Sequence, residues 1–301
     1  MSRQDINRSG EMEVFVQVVE QGGFSVAARF LRMTPSAVSK LVARLEARLG
    51  TRLVNRTTRK LLLTPEGRTF YERSVRILAD MEEAERSAAN LDDPRGLIRI
   101  NTSAAYGTHV LAPLLADFLE TYPGISVEVV QTDLVVDLLA ERADIAIRAG
   151  AMRDSGLVAR KLGDTPLVIV ASPAYLARHG IPKTASDLEK HSRLGFGYVR
   201  ALREWSAPEG ETIAQVPVVG RVSASDGEAL RHFAIGGAGL VQLARFTVAE
   251  DLKAGRLVTM LDDPRTRLDE PFHAVYVGQG GHLPARIRVM LDFLAKHGRV
   301  S

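Results

Sequence analysis

Residues 22–50 read GGFSVAARFLRMTPSAVSKLVARLEARLG, and this stretch decides how the N-terminal part of the chain folds. Just upstream, Met12, Phe15, Val16 and Val19 recur at the spacing of one helix face. Gly22-Gly23 ends that first helix, because glycine tolerates the left-handed backbone that follows a helix C-terminus. Ser25 is placed to cap a second helix over residues 26–33, where the small Ala27-Ala28 pair lets helices approach closely. Thr34-Pro35 opens a third, with threonine as N-cap and proline at the first helical position, where no amide donor is missed. Val38, Leu41, Val42, Leu45 and Leu49 form its apolar stripe, and Ser36, Ser39, Lys40 and Arg44 fall on other faces. That is the pattern of a helix-turn-helix. The first turn of its last helix approaches base edges, and Lys40 and Arg44 reach phosphates or guanine. A three-helix bundle with a solvated basic face would share the bare pattern.

Charge separates the two. Between Arg29 and Arg76 there are twelve Lys or Arg against only Glu46, Glu66 and Glu72, a local net of +9. The whole chain carries +3, so the remainder sums to −6. A modest total hides a strongly basic module, the electrostatic footprint of a nucleic-acid surface. The next segment, RLVNRTTRKLLLT at 52–64, is basic, partly alternating and β-branched, which predicts a two-stranded ribbon with Thr57-Thr58 near its tip. A basic ribbon after a recognition helix is a wing, with Arg56, Arg59 and Lys60 as candidates for the flanking backbone or minor groove. Each could equally be ordinary solvated charge.

Residues 65–91 have no internal proline after Pro65, and Phe70, Ser74, Ile77, Met81, Ala84, Ala88 and Leu91 step by alternating four and three. This heptad stripe is a seam for another helix. With no helical neighbour in sequence, the seam suits a second copy of the chain, with packing on the chain's own domains as the alternative. Asp92-Asp93-Pro94-Arg95-Gly96 then breaks the helix. Beyond it strands and helices alternate: strands at 97–103, 125–132, 144–150, 167–172, within 237–245 and at 273–278, and helices at 108–122, 135–139, 173–179, 185–191, 226–235, 247–254 and 285–297. Residues 193–222 are less regular, with a turn at Pro208-Glu209-Gly210-Glu211. Such alternation implies open α/β sheets with helices on both faces.

The run from Phe15 to Gly67 resembles the LysR-type transcriptional regulators. The resemblance rests on the alanine pair at 27–28, SAVSK at 36–40, LE at 45–46, LG at 49–50, RL at 52–53, R-x-x-R at 56–59 and LTPEG at 63–67. Gly23 stands where the family often has serine, and Val54 where it often has phenylalanine. The remainder is similar to the family's effector domain through LIRINTS, the YPGISVEV and ADIAIRAG segments, GAGLVQLAR and the terminal RIRVMLDFLAKH. The resemblance implies an α/β protein with an N-terminal all-α winged helix-turn-helix over residues 1–64, a long linker helix for dimerisation over 65–92, and an effector-binding domain over 93–301. That domain would comprise two α/β subdomains similar to type 2 periplasmic binding proteins, one from about 95–164 and 270–301 and the other from about 165–269. Crossovers are expected near 162–168 and 265–272.

The DNA-binding set expected on this reading is Ser25, Thr34, Pro35, Ser36, Ser39, Lys40, Arg44, Arg56 and Arg59, and the dimerisation set Phe70, Ile77, Met81 and Ala84. A ligand cleft belongs at the carboxyl ends of the strands. Thr102 and Ser103 end one strand, Thr132 the next, and Arg148 the DIAIR strand. Hydroxyls and amides at a helix start suit a carboxylate, and an arginine grips one with two parallel bonds. Phe196 and Ser225 would face the crevice from the second subdomain. Competing readings are a salt bridge for Arg148, a cap for Thr102, core for Phe196, and an N-cap for Asp226. The expected partners are double-stranded promoter DNA, a small-molecule effector taken to be an organic anion, and further copies of the chain as a homodimer or homotetramer, with no membrane.

Other classes fare poorly. There is no G-x-S-x-G, H-E-x-x-H or Walker-type loop, and Gly236-Gly237-Ala238-Gly239 lies between a helix and a strand, the wrong order for a dinucleotide site. The absence of cysteine removes disulfides and thiolate metal sites, and the seven histidines lack metal spacing, so no cofactor or metal is expected. A transport component would not carry a basic winged module, and an architectural DNA-binding protein would not need two subdomains. Nothing resembles a signal peptide or a membrane span, so a cytoplasmic protein is expected.

Overall fold

The structure, a computed structural model, describes residues 7–56, 61–88, 94–133, 143–152, 157–198, 204–277 and 283–301. It divides into two compact units, Met1–Asp92 and Asp93–Ser301.

The N-terminal unit begins with α1 (Arg8–Glu20), α2 (Phe24–Phe30) and α3 (Pro35–Leu49). Helix α1 buries Glu11, Val14, Phe15, Val16 and Val18, so its inward face is rotated from the expected one. Helix α2 starts earlier than the sequence suggests. Gly23 precedes it in extended backbone and no side chain caps it, so Ser25 is not its cap but an exposed residue of its first turn. The physical reason is Phe24, which packs against the core and draws the helix start toward itself. After α2, Arg32 takes a left-handed conformation (φ 54°) and the Met33 amide returns to the Ala28 carbonyl, closing the turn. Helix α3 starts with Thr34 Oγ1 accepting from the Ala37 amide and Pro35 in the first turn, and it buries Val38, Val42 and Leu45, with Leu49 largely exposed.

Strands β1 (Val54–Arg56) and β2 (Leu61–Leu63) pair antiparallel, Val54 with Leu63. Glu46 of α3 anchors the approach, accepting from the Leu53 and Val54 amides at 2.8 and 3.1 Å. Helix α4 (Pro65–Ala88) follows, with Thr64 Oγ1 accepting from the Gly67 amide. Gly67 is required there: a Cβ would lie 1.9 Å from the Leu53 carbonyl oxygen. The seam expectation is corrected at its first position, because the Phe70 ring meets Phe15 at 5.6 Å inside this unit's own core. Ile77 and Met81, further along, are exposed.

The C-terminal unit runs β3 (Gly96–Thr102), α5 (Ala104–Tyr106), a π turn (Gly107–Leu111), α6 (Ala112–Thr121), β4 (Ile125–Gln131), β5 (Ile145–Ala149) and β6 (Leu157–Ala171). The helical stretch thus begins at Ala104, not near 108. The wide π turn sits just before Pro113, which has no amide to donate. Next come α7 (Pro173–His179), α8 (Ala185–Leu188), β7 (Arg193–Phe196), β8 (Glu204–Glu209), β9 (Thr212–Pro217), β10 (Ser223–Ala224) and α9 (Gly227–Ile235). The chain closes with β11 (Leu240–Ala244), α10 (Arg245–Lys253), β12 (Val258–Met260), β13 (Asp269–Val277) and α11 (Ala285–His297). The supposedly irregular 193–222 region contains an antiparallel hairpin, β8–β9, turning through Gly210 at φ 59°. The helix expected at 135–139 lies outside the described residues.

The sheet order is β10-β7-β11-β6-β13-β5-β3-β4, with β12 also on β6. Strand β6 ties its two halves together. From Leu157 to Pro166 it pairs with β13, and from Leu167 to Val170 with β11. One core gathers Ile98, Ile100, Phe118, Ile147 and Leu291 on the β3 side. The other half has a core on each face. Val168, Val170, Leu230 and Val248 lie beneath α9 and α10, and Ile169, Leu188, Trp205 and Leu240 beneath α7, α8 and the hairpin.

Candidate nucleic-acid interface and ligand cleft

The first two turns of α3 and its cap present Thr34, Pro35, Ser36 and Lys40 to solvent, with Ser39 half-buried. These residues share one accessible surface because Val38, Val42 and Leu45 are drawn inward. Arg44 differs from expectation. Its Nε bonds to Glu11 Oε1, and Arg48 Nη2 reaches Glu11 Oε2 at 3.0 Å. Glu11 is 1% exposed, so this carboxylate needs its cations, and Arg44 is a neutralising partner of α1 before it is anything else. Arg56 ends β1, but its side chain, like all of Arg59 and Lys60, lies outside the described residues. Ala84 belongs to α4, and its side chain also lies outside them.

In the C-terminal unit the ends of β3 and β4 meet where the Thr132 amide donates to the Thr102 carbonyl at 2.9 Å. Thr102 is fully buried, and its hydroxyl finds no partner among the described residues. Ser103 is the cap of α5, its Oγ accepting from the Tyr106 amide at 3.2 Å. Arg148 donates to Asn101 Oδ1 at 2.5 Å, so a neutral amide holds the strand-end arginine beside the β3 terminus. Sequence reasoning missed the residue that organises this region, Asp133. Its Oδ1 accepts from the Ala104 amide at 3.1 Å, and its Oδ2 from the Gly227 amide at 3.0 Å. One carboxylate thus bridges the first amides of α5 and α9, donors that a helix start leaves open to an anion. The signal was present: an acid directly follows Thr132 at a strand end.

A second link crosses the same gap. His109 Nε2 lies 2.7 Å from Glu228 Oε1, and Glu228 continues to Arg231 at 3.2 Å. Arg231 in turn reaches the fully buried Asp251 at 2.5 Å, which Arg256 holds from the other side at 2.6 Å. Burial pushes the Asp251 carboxyl up, and the bonds from Arg231 and Arg256 push it down by more, leaving it below the usual carboxylate range. Phe196 packs on the α9-side core and stands edge-on to Tyr198 at 5.4 Å. Its ring tip would come 3.8 Å from a Cβ at Gly227, so it does border the helix start that Asp133 occupies. Ser225 is exposed and bonds Asp226 Oδ2 at 3.1 Å, and Asp226 caps α9 through the Ala229 amide at 2.7 Å. The structure therefore gathers Thr102, Ser103, Thr132, Arg148 and Phe196 around two helix starts already seated on an internal carboxylate.

Among the described residues no cluster of His, Asp and Glu suits a metal ion, and no helix is long and apolar enough to cross a membrane. Comparison with known proteins extends this picture along the whole chain. Residues 91–299 match the LysR substrate binding domain, and residues 10–68 match the bacterial regulatory helix-turn-helix protein of the lysR family. The HTH-type transcriptional regulator CrgA of Neisseria meningitidis is 40% identical over 289 residues, 96% of each chain. The HTH-type transcriptional activator AaeR of Escherichia coli is 36% identical, over 97% of this chain and 94% of that protein. The solved structure of CrgA superposes with a TM-score of 0.63 over 95% of this chain and 97% of that one. That of the Vibrio cholerae virulence activator AphB, at 27% identity, gives 0.58 over 96% and 99%.

Proposed function

Because the chain belongs to the LysR-type transcriptional regulators, we propose that its effector is a small organic anion that takes the place of the Asp133 carboxylate. The protein is a DNA-binding transcriptional regulator with a helix-turn-helix and a substrate-binding domain. Its relatives are regulators, and a reading without a catalytic step suits it equally well. DNA contact is assigned to the α3 surface at Thr34, Pro35, Ser36, Ser39 and Lys40, and, from the sequence alone, to Arg56 and Arg59. Assembly as a dimer or tetramer in the cytoplasm completes the reading.

The observation that carries the effector proposal is the double seat of Asp133 on Ala104 and Gly227. The amides are aimed, the buried Thr102 hydroxyl is unsatisfied among the described residues, and Arg148 stands nearby on Asn101. A carboxylate ligand would inherit bonds that already exist, at the cost of releasing Asp133. Affinity in the wild type is therefore a difference between two carboxylates competing for one seat.

A thermal-shift screen of small carboxylates tests this in three proteins. An effector at a hundredfold excess over its dissociation constant stabilises the wild type by about 2.7 kcal/mol. Asp133→Ala should bind the same acid about tenfold or more tightly, and Arg148→Ala should lose the response. An acid that stabilises Arg148→Ala as well as the wild type, with no gain in Asp133→Ala, refutes the anion seat.

A further inference from the structure

A second space, half open to solvent, lies at the β7–β11–β6 half of the sheet, beside the hairpin and reaching Phe196 of the α9-side core. Residues paired across β6 and β11 share a face, so Ile169, Gln242, Leu167 and the neighbouring Leu240 point toward the β8–β9 hairpin. Between sheet and hairpin is a cavity of about 440 Å³ whose walls include Leu167, Phe196, Trp205, Val218, Arg193 and Gln242. That volume falls in the range of small-molecule sites, and its walls set apolar and aromatic side chains beside about as much polar surface.

The polar groups are the informative part. Arg193 is 5% exposed. Its Nε donates to the Pro217 carbonyl at 2.8 Å, and its Nη1 to the Leu188 and His191 carbonyls. Among the described residues no carboxylate pairs with it, in contrast to Arg231, which has Asp251 and Glu228. Carbonyls satisfy hydrogen bonds without cancelling charge, so a buried guanidinium held by carbonyls alone keeps a positive potential in a poorly screened place. Its Nη2 makes no bond to a described residue and is not sealed from solvent, so a ligand can reach it. Gln242 offers a carboxamide on the same wall, likewise with no side-chain bond to a described residue.

We propose that this cavity is a second ligand site, bordering the Asp133 seat at Phe196 but built on different polar groups, and that it takes an aromatic carboxylate. The carboxylate would face Arg193 and Gln242, and the ring would lie against Trp205 and Val218. A bare inorganic anion would leave the apolar walls unfilled, and a hydrocarbon would leave the guanidinium uncompensated.

Trp205 is the chain's single tryptophan, so indole fluorescence of the full-length protein reports this cavity's wall directly. Titration with benzoate should change the emission saturably, and neutral benzamide should not. Arg193→Gln should weaken the benzoate response about tenfold or more, the factor one charge-assisted hydrogen bond carries, while Arg148→Ala leaves it intact. Arg193 also ties the end of α8 to β9, so Gln242→Leu serves as a second variant and should weaken benzoate without touching those carbonyls. Three results overturn the proposal: no saturable response in the wild type, an undiminished response in the folded variants, or a response lost in Arg148→Ala and kept in Arg193→Gln. The last would mean that Arg193 only fastens α8.

Discussion

Arg44 shows what a single residue's spacing conveys and what it does not. Helical periodicity places it correctly on the outer part of α3, yet its guanidinium is bonded to Glu11, thirty-three residues earlier. Nothing in the local pattern marks Glu11 as buried, because an acid in the first turn of a helix ordinarily stays in solvent. Asp133 was missed for the related reason that a carboxylate at a strand end reads as a loop residue until its two amide donors are seen. Asp251 is the third such acid and gives a test with a defined sign. Its folded-state pKa is depressed, so the stabilisation it provides is fully present above the unfolded carboxylate value near ~4 and is lost as pH falls through the lower folded value. Asp251→Asn removes the carboxylate that Arg231 and Arg256 share, which costs on the order of 2 kcal/mol at neutral pH. Urea unfolding of both proteins should show the full gap above about pH 5 and a narrowing gap below about pH 4. A gap constant across that range would mean that the carboxylate charge contributes nothing.

At the scale of elements, helices with clean caps were legible. Thr34-Pro35 opens α3 and Asp226 caps α9, and α11, which no side chain caps, still spans the expected 285–297 on its apolar periodicity. Strands that contain breakers were not. Strand β6 passes through Gly163 and Pro166 without ending, because Gly163 sits at φ 136° against the Val300 carbonyl, where a Cβ would stand 2.1 Å away, and the β13 register shifts there. The hairpin was hidden by Pro208, although Trp205 and Ala207 alternate inward as a half-buried strand requires. Helix α4 divides in two. Phe70 and Ser74 serve the unit's own core, whereas Ile77 and Met81 leave an apolar strip in solvent at 46% and 39% exposure. Oligomers are the rule in this family, and this strip is our proposed contact with a second copy. An aspartate at Ile77 or Met81 would then be buried without a partner, costing several kcal/mol at each position. Light scattering of Ile77→Asp and Met81→Asp should report a smaller particle than the wild type. An unchanged mass for both, with intact helicity, assigns the assembly to another surface.

For the whole molecule the decisive sequence property is where charge resides. The +9 between Arg29 and Arg76 against −6 elsewhere separates a module that attracts phosphate from a larger one that does not. Structure refines the sum. Arg44 and Arg48 are committed to Glu11, so part of the apparent surplus neutralises the fold, while Lys40 stays in solvent with Ser36 on the N-terminal half of α3. Neutralising about six phosphates per assembly would lower DNA affinity on the order of 10³-fold between about 50 and 200 mM salt, because each neutralised phosphate releases condensed counterions. Lys40→Ala should then weaken promoter binding and shallow the logarithmic salt slope by about one unit for each phosphate left without its lysine. Arg44→Ala should instead register mainly as reduced stability of the N-terminal unit, with a slope close to that of the wild type. Fluorescence anisotropy on the natural promoter across that salt range separates the two. If Arg44→Ala flattened the slope while Lys40→Ala left it unchanged, Arg44 would have to leave Glu11 on binding DNA, and the exposed turn would not be the principal phosphate contact.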